Sequence, residues 1–418
     1  MRFVFVNLHS SWMLLKNSAV LLFKNSAALK HKYILDYLLD NPEIEVASLL
    51  NDRSFSIYTH GNKYLQRFLN LFSPLEHKWI LKKNGIDSKK IKLLKSSSQL
   101  KSDDIVIYYN ILKDSFRGAD KIDNVFKVVS FLHLHGQKDD SIRLNEASIN
   151  AIFNEVDLSK TCELFKRYYN VNLPWIIIPF IPEDRFRSIK SFKDRKTKAF
   201  SVGTITYKSH PEFLEVYGDP CDQPIRKLIK DNPEYFAHTV DCYSQDYQED
   251  DVVMVVKKGD NYIKALYKKI YNRLNNGRQK KYYSFDMVEK FNDYKMHIVG
   301  EEVLGIPGIG YVEGMACGSA YIGLESSMYS DLGLIPGVHY ITYDGTKEGL
   351  RSTIEYWQRP ENQDRLETIA KNGCEFVRNN FYGPKVAAKL ISELSKLQEE
   401  WLKKKSRYSQ QINDLQIQ

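Results

Sequence analysis

Short apolar runs alternate with longer amphipathic stretches along nearly all of the 418-residue chain. This alternation is typical of parallel β-sheets whose strands are joined and covered by helices. The runs that predict strands are Phe3–Val6, Glu45–Leu50, Ile105–Tyr109, Val125–Leu132, Ala151–Asn154, Lys198–Val202, Asp251–Val256, Lys295–Val299, Ala320–Leu324 and Val338–Thr342. Helical spacing of apolar residues appears in Ala27–Leu39, Leu350–Trp357 and Gln363–Asn380. The chain is therefore expected to be an α/β protein.

A proline-bracketed segment divides this alternation into two halves. Pro174–Pro182 holds isoleucines between prolines, so it is extended and cannot be helical. A chain of this length exceeds one ordinary core and fits two domains. We predict a first domain over 1–180 and a second over 181–383. An amphipathic helix over 384–405 would return toward the first domain, followed by a frayed polar tail over 406–418.

Charge and cysteine usage exclude several classes of protein. The net charge of +8 suits anionic small molecules or an anionic membrane surface and does not require nucleic acid. Five scattered cysteines without a CxxC pair argue against a disulfide framework and a zinc site, and favour a reducing cytoplasm. Met1–Phe23 is apolar enough to raise the alternative of a signal peptide, but polar residues interrupt it and Lys24 closes it.

The segment that best predicts chemistry is Gly305–Gly318. A predicted strand ends near Val299, three glycines follow at 305, 308 and 310, and a helix should begin near Tyr311 and end at Gly318. Glycines let the backbone approach a phosphate, and the start of a helix favours a diphosphate. Glu313, in the first turn of that helix, could accept both hydroxyls of a ribose. The alternative is a tight turn with a favourable first-turn acid.

The run GIGYVEGMACGSAYIG, residues 308–323, resembles the C-terminal donor-site signature of GT-B glycosyltransferases, especially those like family 4. The resemblance implies two Rossmann-like domains facing across a cleft. It also implies a nucleotide-diphosphate sugar as donor substrate, with Glu313 at the nucleotide ribose and with Gly308 and Gly310 beside the diphosphate. It implies no obligatory metal or other cofactor.

The chain departs from that signature at one position. The family's first Glu lies eight positions before the second, and here that position is Gly305. The nearest acids are Glu301 and Glu302. Either the loop has shifted and Glu302 serves instead, or the hydroxyls of the sugar are held differently. The donor sugar and the choice between retention and inversion therefore stay open.

Two further segments fit the resemblance. Ala199–Lys208 is similar to the strand that opens the family's second domain, with Gly203 at its end. Lys208 and Arg226 would then supply the cations that neutralise the diphosphate as the glycosidic bond breaks. The alternative for each cation is a solvated surface charge.

Two histidines follow a buried strand in the first half, His133 and His135. In the family, a histidine at this place faces the transferred sugar. A neutral imidazole could bind a sugar hydroxyl or act as a base for the acceptor. The alternative is a structural histidine. A metal site is not predicted here, because no third ligand lies at a recognisable spacing.

A basic stretch, Lys257–Lys281, carries nine Lys or Arg residues against one acid and has apolar residues at helical spacing. Such a helix could lie on an anionic leaflet, with Lys264, Lys268, Lys269 and Arg273 toward the membrane. The alternative is a surface helix whose apolar stripe packs on the core. No RNA-binding motif accompanies the aromatic residues.

Together these features predict a cytoplasmic glycosyltransferase, either free or peripheral on the inner face of the plasma membrane. Its acceptor would be a glycan or a lipid-linked saccharide, in bacterial surface polysaccharide synthesis by the habits of the family. Two alternatives stay open: a nucleotide-sugar epimerase on the same architecture, and a non-catalytic glycan-binding relative, for which Gly305 is the best argument.

Overall fold

A computed structural model describes residues 1–6, 29–50, 64, 71–83, 85–108, 121–131, 138–247, 261, 263–264, 266–268 and 285–416. The predicted strand Asp251–Val256 lies outside these residues. Among the described helices, none is both long and apolar enough to cross a bilayer.

The N-terminal half forms a seven-stranded sheet in the order β3-β2-β1-β4-β5-β6-β7, and every neighbouring pair is parallel. Its strands are β1 (Arg2–Val6), β2 (Glu45–Leu49), β3 (Ile91–Leu94), β4 (Asp104–Tyr108), β5 (Phe126–Ser130), β6 (Ala151–Asn154) and β7 (Trp175–Ile177). The central strands β1, β4, β5 and β6 are buried at every residue, which explains why most of their residues are apolar.

The C-terminal half forms a five-stranded parallel sheet in the order β10-β8-β12-β13-β14. Its strands are β8 (Lys196–Ser201), β10 (Val240–Cys242), β12 (Tyr294–Ile298), β13 (Ala320–Leu324) and β14 (Ile341–Tyr343), and a separate pair joins β9 (Thr204–Ile205) to β11 (Gln245–Asp246). Because β8 and β12 are adjacent and parallel, the loops that follow them meet at one edge of the sheet.

Helices cover both sheets. They are α1 (Leu29–Asp40), α2 (Ser73–Lys83), α3 (Lys138–Glu146), α4 (Leu158–Thr161), α5 (Glu163–Tyr168), α6 (Pro211–Tyr217), α7 (Pro224–Asp231), α8 (Met287–Asp293), α9 (Gly310–Ala316), α10 (Ser327–Ser330), α11 (Lys347–Gln358), α12 (Gln363–Asn380) and α13 (Gly383–Gln416). Both α6 and α7 begin with a proline, whose fixed φ suits the first helical position.

The last helix, α13, packs on the N-terminal half, as the sequence predicted. Leu390 and Leu394 are buried in the same apolar cluster as Phe3 and Phe5 of β1. The Gln398 side chain donates to the carbonyl of Asp103 at 2.6 Å.

The predicted end of that helix was wrong. Helix α13 continues past Lys405 to Gln416 instead of giving way to a frayed tail. Residues 406–416 contain no glycine or proline and several good helix formers, so nothing in them stops the helix.

The two halves contact each other through α4 and α5 on one side and α6 and α10 on the other. Lys160 forms an ion pair with Asp331 at 2.8 Å. The amide of Leu164 donates to the Tyr217 hydroxyl at 3.3 Å, next to an ion pair between Arg167 and Glu215. These contacts fix one boundary of the space between the halves.

Candidate functional site

The glycine-rich loop after β12 is shaped by a contact with the N-terminal half. Gly305 has φ +74°, a left-handed conformation, and a Cβ there would lie 2.5 Å from the carbonyl oxygen of Thr161 in α4. Its amide closes a turn by donating to the Glu302 carbonyl at 2.9 Å. A glutamate cannot occupy this position without moving α4, and this gives the departure from the family signature a structural reason.

Three residues that are far apart in sequence meet at the carboxyl ends of β8 and β12. A Cβ on Gly203 would lie 2.5 Å from the Arg226 guanidinium carbon, and a Cβ on Gly308 would lie 2.5 Å from its Nη2. The Arg226 guanidinium therefore lies against two glycines that the sequence had assigned to the donor site. The guanidinium fits there only because the two glycines have no side chain.

Backbone carbonyls of both loops hold Arg226 in place. Its Nη1 donates to Thr204 at 2.6 Å, its Nη2 donates to Gly300 at 3.3 Å, and its Nε donates to Val299. The side chain is 7% exposed. Arg226 is thus a fixed positive charge that ties the β8 loop to the β12 loop, rather than a solvated surface residue.

Lys208 is also paired. Its ammonium lies 2.9 Å from the Asp222 carboxylate, which is buried just before α7. The second oxygen of Asp222, Oδ1, is buried and has no hydrogen-bond partner within the part of the chain that the structure describes. The backbone amide of Val303 donates to the Asp222 carbonyl at 2.8 Å, so this pair adjoins the glycine loop.

Glu302 faces the same group of charges. Burial raises the pKa of its carboxyl to about 7, and the nearby Asp222 carboxylate adds to the rise, whereas Lys208 and Arg226 oppose it. The structure thus brings together five of the residues named from sequence: Gly203, Lys208, Arg226, Glu302 and Gly308. Asp222 was missed, because nothing in its local sequence marks it.

Glu313 lies in the first turn of α9, as predicted, and is 7% exposed. Every residue of this seven-residue helix is buried. Gly310 and Gly314 let the helix approach β12: a Cβ on Gly310 would lie 3.0 Å from Val299, and one on Gly314 would lie 2.3 Å from the His297 ring. The helix is followed by Gly318 at φ +72°, which is the predicted left-handed cap.

Glu301 is a further acid at this edge of the sheet. Its Oε1 accepts hydrogen bonds from the Tyr329 hydroxyl at 2.7 Å, the Leu324 amide at 2.9 Å and the Tyr321 hydroxyl at 3.1 Å. Burial, and then the Glu301 charge, holds the pKa of both tyrosines well above its usual value, so they remain donors.

The other oxygen, Glu301 Oε2, is buried and has no hydrogen-bond partner among the described residues. One oxygen of this carboxylate is therefore fixed by the protein, and the other is an unsatisfied acceptor among the described residues. The sequence named Glu301 only as an acid near the expected glutamate, and the tyrosines that hold it lie 20 and 28 residues further on.

The remaining predicted residues are dispersed or lie outside the described chain. His133, His135, Lys269 and Arg273 fall outside the described residues. Lys264 is exposed and Lys268 is half-buried. Ile263 and Tyr267, which belong to the predicted apolar stripe and each precede one of these lysines, are 76% and 58% exposed.

Within the ranges that the structure describes, no group of His, Cys, Asp and Glu side chains could hold a metal ion.

No protein-family model and no curated protein sequence matches the chain. Solved structures are similar to the chain in three dimensions. Sucrose-phosphate synthase from Thermosynechococcus elongatus superposes with a TM-score of 0.50 at 11% identity, over 95% of this chain and 98% of that one. HepE from Anabaena, in complex with UDP, superposes with a TM-score of 0.50 at 12% identity, over 95% of this chain and all of that one.

The chain has the GT-B glycosyltransferase fold. This confirms the predicted architecture of two Rossmann-like domains. At such identities the similarity concerns the fold, and the resemblance of residues 308–323 to family 4 stays a prediction.

Proposed function

We propose that the chain is a glycosyltransferase that uses a nucleotide-diphosphate sugar as donor. The proposal rests on the observation that Gly203, Arg226 and Gly308 lie against one another at the carboxyl ends of β8 and β12. In open parallel sheets, ligands bind at this edge. The structural neighbour HepE was solved with UDP, which supports a nucleotide as the ligand of this fold.

In this proposal the diphosphate lies by the backbone of Gly308 and Gly310, near the positive charges of Arg226 and Lys208. Arg226 is already oriented by three carbonyls, so its charge needs no rearrangement when the leaving group becomes more negative. Glu313 would accept the ribose hydroxyls. These roles follow from the resemblance, and the geometry of the loop supports those of Gly308 and Arg226.

The sugar of the donor would lie between the two acids that follow β12. Glu301 Oε2 is buried and unpaired among the described residues, so a sugar hydroxyl donating to it would remove an unsatisfied acceptor. Glu302, with a pKa of about 7, would stay protonated beside the bound diphosphate and limit the negative charge there. The loop would thus use two consecutive acids where the family signature has one.

In the reaction, an acceptor hydroxyl oxygen bonds to the anomeric carbon while the bond from that carbon to the diphosphate oxygen breaks. The nucleoside diphosphate leaves with the bonding electrons. The proton of the hydroxyl would pass to a base, for which His135 and His133 remain the candidates. The division of the chain at residues 180 and 181 would place this base in the first domain and the donor in the second.

The acceptor would be a glycan or a lipid-linked saccharide, and the setting bacterial surface polysaccharide synthesis. A protein of this kind would work in the cytoplasm at the inner face of the plasma membrane.

The exposure of Ile263 and Tyr267 beside Lys264 supports a membrane-facing role for the stretch around Lys264, Lys268, Lys269 and Arg273. Neutralising these four cations should weaken binding to anionic vesicles, and unchanged sedimentation with the vesicles would contradict this role.

A donor assay tests the proposal. The protein is incubated with several nucleotide sugars, and released nucleotide is measured with and without saccharide acceptors. A glycosyltransferase releases nucleoside diphosphate from one donor, faster with an acceptor. Interconversion of sugars without release would instead identify an epimerase. Absence of both reactions, with glycan binding retained, would identify the non-catalytic alternative.

A further inference from the structure

Two arginines from outside α9 hold its C-terminal end. Arg195, the residue before β8, donates through its Nη1 to the Gly318 carbonyl at 2.9 Å. Arg378, in the last turn of α12, donates through its Nη2 to the Ala316 carbonyl at 3.1 Å. The last carbonyls of a helix have no partner within the helix, and positive charge is favourable beside them. The two arginines therefore supply the donors and the charge that this end of α9 needs.

The same two arginines also bind a segment that connects the two sheets. Residues 186–190, which we call the crossing segment, lie between the end of β7 and the start of β8. Arg378 Nη2 donates to the Phe186 carbonyl at 2.6 Å, and Arg195 Nη2 donates to the Lys190 carbonyl at 2.9 Å. Each arginine thus joins α9 to the crossing segment through one side chain.

Asn292 of α8 fixes the crossing segment on the C-terminal half. Its side-chain oxygen accepts from the Ile189 amide at 2.8 Å and from Arg195 Nη2 at 3.1 Å. Its side-chain nitrogen donates to the Arg187 carbonyl at 2.9 Å. Asn292 is buried, and a buried amide with its hydrogen bonds made is held in one orientation. The crossing segment is therefore a fixed support to which the arginines tie α9.

Ion pairing does not explain the two arginines. Among the described residues, every oxygen that accepts from their guanidinium groups belongs to a carbonyl, a hydroxyl or an amide. Arg195 is 5% exposed, and burying a guanidinium is costly unless its donors are used. A cation in the last turn of α12 is favourable by itself, but the hydrogen bonds of Arg378 reach beyond that helix. Their geometry accounts for a role in joining segments.

We propose that Arg195 and Arg378 are positioning residues that orient Glu313 for the nucleotide. The inference rests on the proposed function, in which Glu313 accepts the ribose hydroxyls. Glu313 lies one helical turn before Ala316, on a helix of seven residues. In so short a helix, displacement of the held end also displaces the carboxylate, and a displaced binding group loses affinity.

The test removes the more accessible arginine. Arg378 is exposed apart from its hydrogen-bonded end, so Arg378→Gln should leave the fold intact. Arg365→Gln is the matched control, because Arg365 is an exposed arginine of the same helix that contacts Tyr356 and Trp357. UDP, GDP, ADP and CDP are titrated by calorimetry into the full-length wild type, these two variants, Glu313→Ala, and the double variant of Arg378→Gln with Glu313→Ala. Circular dichroism and thermal melting check that all five proteins are folded.

For the nucleotide that the wild type binds most tightly, Arg378→Gln should bind about three- to tenfold more weakly. The control should stay within about twofold of the wild type. Because Arg378 acts through Glu313, the double variant should bind as weakly as Glu313→Ala alone. Equal affinity of Arg378→Gln and wild type, or losses that add in the double variant, would overturn the inference.

Hydrogen exchange without nucleotide measures the hold on α9 directly. The amides of Cys317, Gly318 and Ser319 donate to carbonyls of α9, so their exchange reports on this end of the helix. Exchange there should be faster in Arg378→Gln and unchanged in the control. Wild-type rates in Arg378→Gln, with normal nucleotide binding, would overturn the inference alone. A wild type that binds none of the four nucleotides would overturn the proposed function as well.

Discussion

At the scale of single residues, Glu302 would give the proposed donor site a dependence on pH. The groups that face it are Asp222, Lys208 and Arg226, and its own pKa of about 7 means that it changes charge near neutrality. Below about pH 7 the Glu302 carboxyl is neutral, so only the Asp222 carboxylate opposes the charges of Lys208 and Arg226. Above it, a second carboxylate opposes an incoming diphosphate.

The prediction concerns the affinity for a nucleoside diphosphate. Affinity should fall by about three- to tenfold as the pH rises from about 6 to about 8, because binding favours the protonated form of Glu302. Calorimetry in buffers of different ionisation enthalpy should also show proton uptake on binding near neutral pH. Glu302→Gln should flatten the pH dependence and abolish most of the uptake. Identical profiles for wild type and variant would refute the role of Glu302.

A second residue-scale prediction concerns an ion pair in the N-terminal half. Lys30, at the start of α1, pairs with Glu155 after β6, and both side chains are almost fully buried. Lys30→Met should lower the free energy of unfolding by about 3–5 kcal/mol, because it leaves a buried carboxylate unpaired. Lys30→Met with Glu155→Leu should recover most of this loss. Urea unfolding measures both, and a double variant as unstable as the single one would count against the explanation.

At the scale of elements, the β12 loop is fixed by its packing on α4. Gly305→Ala should lower stability by two effects: the left-handed φ, and the Cβ placed 2.5 Å from the Thr161 carbonyl. Gly337→Ala is a matched control, since Gly337 has φ +72° with no atom within 4 Å of a built Cβ. The control should cost about 1 kcal/mol and Gly305→Ala distinctly more. Equal changes in thermal stability would mean that the contact with α4 does not constrain the loop.

Most elements could be predicted because their periodicity is local. β6, β13 and α12 match the sequence prediction residue for residue. β3 was missed because it is a four-residue edge strand with an exposed lysine, Lys92, which breaks its apolar run. Helices α6 and α7 were missed because each opens on a proline, which also marks loops.

The candidate site was predictable only in part. Gly308 and Glu313 belong to one short motif, so their spacing could be read from the chain. Asp222 and the tyrosines around Glu301 could not, because only the pairing of β12 with β8 and β13 brings these segments together. The contact that requires Gly305 comes from the other half of the molecule, so no local pattern could have explained the missing glutamate.

At the scale of the whole molecule, the C-terminal helix stabilises the half that begins the chain. Leu390 of α13 is fully buried beside β1 residues, whereas Glu393 on the same helix is exposed. Leu390→Ala should cost about 2–5 kcal/mol and act on the N-terminal half. Hydrogen exchange at the amides of β1 should rise strongly in this variant and stay near the wild-type rate in Glu393→Ala. A loss of protection confined to the C-terminal sheet would contradict the assignment of α13 to the first half.

The central claim is that the segment Gly305–Gly318 holds a nucleotide-diphosphate ligand in a GT-B fold. Calorimetric titration of UDP and other nucleoside diphosphates into the wild type and Glu313→Ala tests it most directly. Glu348→Ala is the matched control, an exposed acid in the first turn of α11 in the same half. We predict that at least one of these nucleotides binds the wild type and the control with equal affinity. The same nucleotide should bind Glu313→Ala at least about tenfold more weakly, although all three proteins are folded. Equal affinity of Glu313→Ala and wild type, or no binding of any nucleotide, would contradict the account.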